Sequence, residues 1–139
     1  MLQYRHRLWT DGVAGAVARA TSPVARLLAI YDYLLDWFNT RTFRGCGFIN
    51  AFGELGAVSP KVADVARAHK ISFQKYVANL SAEAGGTPDL AAQLAILAEG
   101  AQTTAAISGD SAAARHARRA AEILIDAETN TPNAGQITG

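Results

Sequence analysis

The sequence has 139 residues, the size of one domain, and half of them are hydrophobic. Its 13 basic and 12 acidic side chains leave a net charge of +1, which argues against a surface that binds a phosphate backbone. One cysteine, Cys46, excludes an internal disulfide, and the sequence shows neither a signal peptide nor an apolar run long enough to span a membrane. Because 29 residues are alanine, we expect an all-α protein. The three exclusions above lead us to expect it in the cytoplasm.

Three dipeptides mark the starts of predicted helices: Ser22-Pro23, Ser59-Pro60 and Thr87-Pro88. In each one a hydroxyl can cap the helix, while proline occupies the first turn, where its missing N–H costs nothing. Gly85-Gly86 and Gly109-Asp110 provide stops, and Asp110 or Ser111 can cap the last helix. The pattern predicts a bundle of five long helices and a short one, over residues 2–20, 23–40, 47–56 (the short helix), 60–84, 88–108 and 111–127. Residues 1–127 then form one domain, and the polar segment 128–139 is expected to be a flexible tail.

The second helix is apolar on nearly all sides, which predicts a central position in the bundle. Its only polar strip consists of Asp32 and Asp36. These two carboxylates are four residues apart. They are either a pair with a functional role or the solvent-exposed side of an otherwise apolar helix, and we favour the second interpretation.

The fourth helix carries a second apolar stripe beside the one that faces the core. This stripe contains Ile96, Gly100, Thr103 and Ile107. The last helix carries a matching stripe of small residues: Ala113, Ala117, Ala120 and Leu124. Either all of these residues lie inside one chain, or they form a homodimer interface of paired C-terminal helices. We favour the homodimer, since a two-fold contact is the commonest form of oligomer.

No catalytic or metal-binding pattern is present in the sequence. His6, His69 and His116 lie on three different predicted helices without metal-ligand spacing, and no phosphate-binding glycine motif occurs. Cys46 is either a redox-sensitive thiol or an inert buried one, and we favour the latter because Arg44 is its only basic neighbour. We therefore expect a protein that is not an enzyme and needs no cofactor or metal.

Large aromatic residues are spread over four of the predicted helices and are expected to converge in the bundle. They are Trp9, Tyr31, Phe38, Phe48, Phe52, Phe73 and Tyr76. Such a cluster either fills the core or lines a small-molecule cavity, and both interpretations stay open at this point.

The order of segments along the chain resembles the C-terminal ligand-binding and dimerisation domain of TetR-family transcriptional regulators. The segments that carry the resemblance are FRGCGFINAFGELG (43–56), VARAHK (65–70), LAAQLAILAEGA (90–101) and ARHARRAAEILI (114–125), preceded by TSPVARLLAIYDYLLDWF (21–38). The resemblance covers about residues 2–126. Family members carry a helix-turn-helix domain ahead of the helix that here starts near Leu2, and this sequence lacks it, so DNA contact is expected only through such a domain.

The resemblance implies an inducer-responsive repressor whose first helix moves when a small molecule binds in the bundle. The apolar helix faces carry no Lys or Arg, so we expect an uncharged or weakly polar ligand. Placing the predicted helix faces around such a ligand gives as pocket residues Trp9, Val13, Tyr31, Leu35, Phe38, Phe48, Phe52, His69, Phe73, Tyr76 and Leu97. The alternative is a helical dimer that acts as an interaction or structural protein without a ligand. Neither interpretation involves a membrane.

Overall fold

The structure, a computed structural model, describes residues 2–40, 43 and 60–129, and within these ranges it describes the side chains from Thr10 onward except that of Val62. These residues form five helices: α1 (Leu2–Arg19), α2 (Pro23–Phe38), α3 (Pro60–Glu83), α4 (Pro88–Ser108) and α5 (Ala112–Thr129). The described ranges contain no strand, and the prediction of an all-α bundle with five long helices is confirmed. Helix α2 ends at Phe38, two residues earlier than predicted, and α5 ends at Thr129, two residues later than predicted. The predicted short helix near 47–56 and residues 130–139 lie outside the described residues.

Local capping interactions explain where the described helices begin and end. The Ser22 hydroxyl accepts a hydrogen bond from the Ala25 N–H at 3.1 Å, and the Thr87 hydroxyl accepts one from the Leu90 N–H at 3.2 Å. Gly109 ends α4 with a φ of 71°, a left-handed conformation that favours glycine. Three residues later the Ala112 N–H donates to the Asp110 carboxylate at 2.9 Å.

Helix α2 is the central helix, as its nearly uniform apolar surface predicted. It packs against α1, α3, α4 and α5. Leu27, Ile30 and Leu34 are almost completely buried in these contacts. Helices α3, α4 and α5 also pack on each other in sequence order, whereas α1 packs on α2 and makes no comparably extensive contact with another described helix.

Helix α4 is buried along two adjacent rows of residues, which leaves its remaining side in solvent. One row is the predicted core stripe with Leu90 and Leu94, and the other consists of Ala91, Ala95, Ala98 and Gln102. Ile96 is 64% exposed and Ile107 is 83% exposed. The alternative in which the second apolar stripe lies inside the chain is therefore wrong.

The buried side of α5 differs from the predicted stripe. The fully buried residues are Ala114, Ala117, Ala121 and Ile125, because α5 packs into the angle between α2 and α4. Ala117, which the sequence placed in the dimer interface, is thus covered within its own chain and is corrected to a core residue. Ala113, Ala120 and Leu124 are half-buried at the edge of this core.

Candidate ligand-binding and dimerisation surfaces

The predicted pocket residues divide into two groups by burial. Val13, Tyr31, Phe38 and Phe73 are buried in the core, whereas Leu35, His69, Tyr76 and Leu97 are half-buried. Leu35, Tyr76 and Leu97 pack against the buried group, so the predicted helix faces do converge. Phe48, Phe52 and the Trp9 side chain lie outside the described residues.

Tyr31 is held in place by a hydrogen bond within the bundle. Its hydroxyl donates to the backbone carbonyl of Leu94 at 2.7 Å and thereby joins α2 to α4. Burial raises the pKa of the Tyr31 phenol above its ordinary value. Because its hydroxyl is already paired, a ligand would meet the aromatic ring of Tyr31 rather than a free donor.

Gln102 is a buried polar residue that the sequence analysis did not single out. Its amide nitrogen donates to the Ala98 carbonyl at 3.2 Å, and its buried amide oxygen has no hydrogen-bond partner among the described residues. A buried acceptor without a donor costs about 1–3 kcal/mol. The sequence does contain a signal for this burial, because Gln102 is the one amide in a row with Ala91, Ala95 and Ala98 at helical spacing.

A groove of about 490 Å³ runs between α1 and α2, and the sequence analysis missed it. Apolar residues line much of it, among them Ala16, Ala20 and Leu28. None of the predicted pocket residues whose side chains the structure describes lines it. The groove depends on how α1 crosses α2, which helical periodicity alone does not determine.

The rim of this groove carries charges of both signs. Arg118 of α5 donates to the Asp32 carboxylate at 2.8 Å and to Glu122 at 2.9 Å. Asp32 therefore pairs across helices instead of forming only a solvated strip. Asp36 and Arg19 also line the groove, and neither has an ion-pair partner among the described side chains.

Four aromatic rings meet where α2 ends, and only one of them belongs to the predicted cluster. We call Tyr33, Trp37, Phe38 and Phe43 the α2 aromatic cluster. Tyr33 and Trp37 are stacked with ring centroids 6.5 Å apart, and Trp37 and Phe43 form a T-shaped pair with ring centroids 4.8 Å apart. Phe38 and Phe43 lie 4.6 Å apart. These separations are typical of favourable aromatic pairs.

Helices α4 and α5 pack against each other, and we call their exposed apolar residues the α4–α5 surface. On α4 it contains the predicted interface residues Ile96, Gly100, Thr103 and Ile107, all exposed. On α5 it adds Ile123, which is 54% exposed. A Cβ atom built on Gly100 would meet no atom within 4 Å, so this part of the surface is open.

The residues that the structure describes offer neither a metal-binding cluster nor a membrane-spanning helix. Within those residues, no group of three or more histidine, cysteine or acidic side chains is arranged to hold a metal ion. None of the described helices is sufficiently long and apolar to cross a membrane.

A family described as "Tetracyclin repressor-like, C-terminal domain" matches residues 23–121, more than two thirds of the chain. The chain belongs to this family. The match runs from the first residue of α2 into α5 and confirms the resemblance over most of the predicted range. No curated protein and no solved structure matches the chain.

TetR-family domains typically dimerise and bind small-molecule effectors, and they are generally not enzymes. The matched range contains most of α4–α5 and the converging faces of α2, α3 and α4. It excludes α1, which carries one wall of the groove.

Proposed function

We propose that the chain is the effector-sensing and dimerisation domain of a TetR-like repressor. It forms a homodimer through the α4–α5 surface and binds a small, mostly apolar molecule within the bundle. Binding changes the position of α1 and so controls DNA binding by a helix-turn-helix domain. A ligand does this only if it binds one of the two arrangements more tightly than the other.

The exposure of large apolar residues on the α4–α5 surface is the observation that carries this proposal. Ile96, Ile107 and Ile123 are each more than half exposed although the chain has a well-filled core. Exposed apolar residues that cluster on one surface are typical of an interaction site. Around Gly100 the helix backbone is bare, so a second helix can approach it closely.

The chemistry of the predicted pocket supports an uncharged ligand. The described pocket positions on α2, α3 and α4 are apolar or aromatic apart from His69. Apolar pockets with a few polar groups are the usual form of small-molecule sites. A charged carboxylate or phosphate ligand would lose its hydration there without gaining a cationic partner.

The dimer is tested with Gly100→Leu, measured by native mass spectrometry and sedimentation. The wild-type chain is expected to be a dimer and the variant a monomer with an unchanged helical circular dichroism spectrum, because the new side chain has free space within its own chain. Ala68→Leu adds bulk to an exposed position of α3 and serves as the matched control. A Gly100→Leu chain that remains a dimer would refute this interface.

The ligand is tested by the same mass spectra and by a thermal-shift screen. We expect the wild-type dimer either to retain a drug-sized molecule or to be stabilised by uncharged aromatic compounds but not by dicarboxylates. Stabilisation by a dicarboxylate would contradict the proposed pocket chemistry. A dimer that retains nothing and responds to no compound would favour the alternative, an interaction protein without a ligand.

A further inference from the structure

Helix α1 approaches α2 most closely at Gly12. A Cβ atom built on Gly12 would lie 2.5 Å from the Cζ atom of Tyr33, which is closer than real Cβ contacts come. Glycine is therefore the residue that lets the α1 backbone rest directly on the Tyr33 ring. At Gly15, one turn further along α1, a Cβ atom would meet only the flexible end of Arg19 at 3.5 Å.

The Tyr33 ring is also the first member of the α2 aromatic cluster. It stacks on Trp37 with an angle of 17° between the ring planes, and Trp37 contacts the Phe43 ring at 77°. Continuous ring contacts thus lead from the backbone of α1 to Phe43, beyond the last residue of α2. These three rings are half-buried and touch one after another, so we expect a displacement of one ring to shift the ring that it contacts.

The contact between Gly12 and Tyr33 matters for the orientation of α1, because α1 is held mainly by α2. Among the described helices α1 packs extensively on α2 only, so its orientation is determined chiefly along this one interface. The groove between α1 and α2 is lined by Tyr33 and leaves space beside the ring. A shift of the ring therefore has room to occur.

We propose that the Gly12–Tyr33 contact couples the orientation of α1 to the packing of the α2 aromatic cluster. A rearrangement around Phe43 moves Trp37 and Tyr33, and the Tyr33 ring tilts α1 about Gly12. The coupling is a property of the fold that is present without ligand. Only its role in sensing an effector rests on the proposed function.

The test places a 4-fluorophenylalanine label at Phe43 and records its ¹⁹F chemical shift in the ligand-free chain. Gly12→Ala displaces Tyr33 and is expected to shift the label signal, although residue 12 and residue 43 share no ring contact. Gly15→Ala is the matched control, since it makes the same replacement on the same helix without the clash, and it leaves the signal in place. In a Tyr33→Leu background, Gly12→Ala is expected to lose its effect.

Equal shifts for Gly12→Ala and Gly15→Ala, or an effect that survives in the Tyr33→Leu background, would overturn the proposal.

A second measurement covers the case in which Gly12→Ala does not fold. Tyr33→Leu alone is expected to speed hydrogen exchange of the α1 amides, whereas Tyr76→Leu on α3 is not. Unchanged α1 exchange in Tyr33→Leu would refute the coupling. Neither experiment contains a ligand, so a negative result here does not contradict the proposal that the chain senses an effector. Likewise, a ligand screen that finds no binder does not contradict the coupling between α1 and the α2 aromatic cluster.

Discussion

Tyr31 and Tyr33 lie two positions apart on α2, and their side chains therefore leave the helix in different directions. Tyr31 is fully buried and bonded to α4, whereas Tyr33 is half-buried between α1 and the groove. Burial raises the pKa of both phenols. Both hydroxyls therefore stay neutral in the folded chain over the physiological pH range.

Replacing Tyr31 by phenylalanine is expected to lower the free energy of unfolding at neutral pH by about 1 kcal/mol, the net value of one hydrogen bond. The pH dependence also changes, because the pKa of Tyr31 is higher in the folded than in the unfolded chain. Its contribution is complete below the unfolded pKa of about 10 and is lost as the pH rises towards the folded value. Urea titrations should therefore show a shallower alkaline loss of stability for Tyr31→Phe than for the wild type. Equal slopes would contradict this assignment.

The sequence predicts that Tyr31 is buried but does not predict what its hydroxyl contacts. Helical spacing placed the ring on an apolar face of α2. The acceptor, however, is a backbone carbonyl 63 positions later, and it depends on how α2 and α4 cross. The same limit applies to Tyr33, whose contact with Gly12 follows from the packing of two helices rather than from either sequence segment.

At the scale of the helices, the boundaries were predictable because capping is local. Ser22, Thr87 and Gly109 act within a few residues of their position, and the structure confirms all three. The buried side of α5 was harder to predict. Alanines at 113, 114, 117, 120 and 121 surround much of the helix, so hydrophobicity alone does not distinguish the side that faces α2 and α4 from the side next to it.

Removing the Thr87 cap tests this local control of α4. Thr87→Ala is expected to lower the free energy of unfolding by about 1 kcal/mol, since the Leu90 N–H loses its acceptor at 3.2 Å. Thr104→Ala is the control, because this exposed threonine lies inside α4 and outside the predicted interface residues, at a position where alanine is the better helix former. Chemical denaturation should rank Thr87→Ala as the less stable variant. The reverse order would show that the cap does not stabilise α4.

For the whole molecule, the α4–α5 surface links stability to association. If only folded chains dimerise, the melting temperature rises with chain concentration. We expect this rise over a hundredfold concentration range for the wild type and its loss for Gly100→Leu. Differential scanning fluorimetry measures both. A wild-type melting temperature that is independent of concentration would argue against dimerisation through this surface.

The global arrangement was predictable in part. The nearly uniform apolar composition of α2 predicted its central position. The exposed stripe of α4 was predictable because the two C-terminal helices carry more apolar surface than one small core needs. The groove between α1 and α2 was not predictable, because it arises where small side chains such as Ala16 and Ala20 fail to fill the space between two crossing helices.

The one-sided packing of α1 has a consequence for how the chain opens. Helices α2 to α5 pack on one another and share most of the core, whereas α1 adds Val13 and Val17 to it from one side. Detaching α1 therefore exposes less apolar surface than unfolding the bundle does, and it costs correspondingly less free energy. We therefore expect the segment ahead of Pro23 to be the first cooperative unit that is lost, while the contacts among the other four described helices persist.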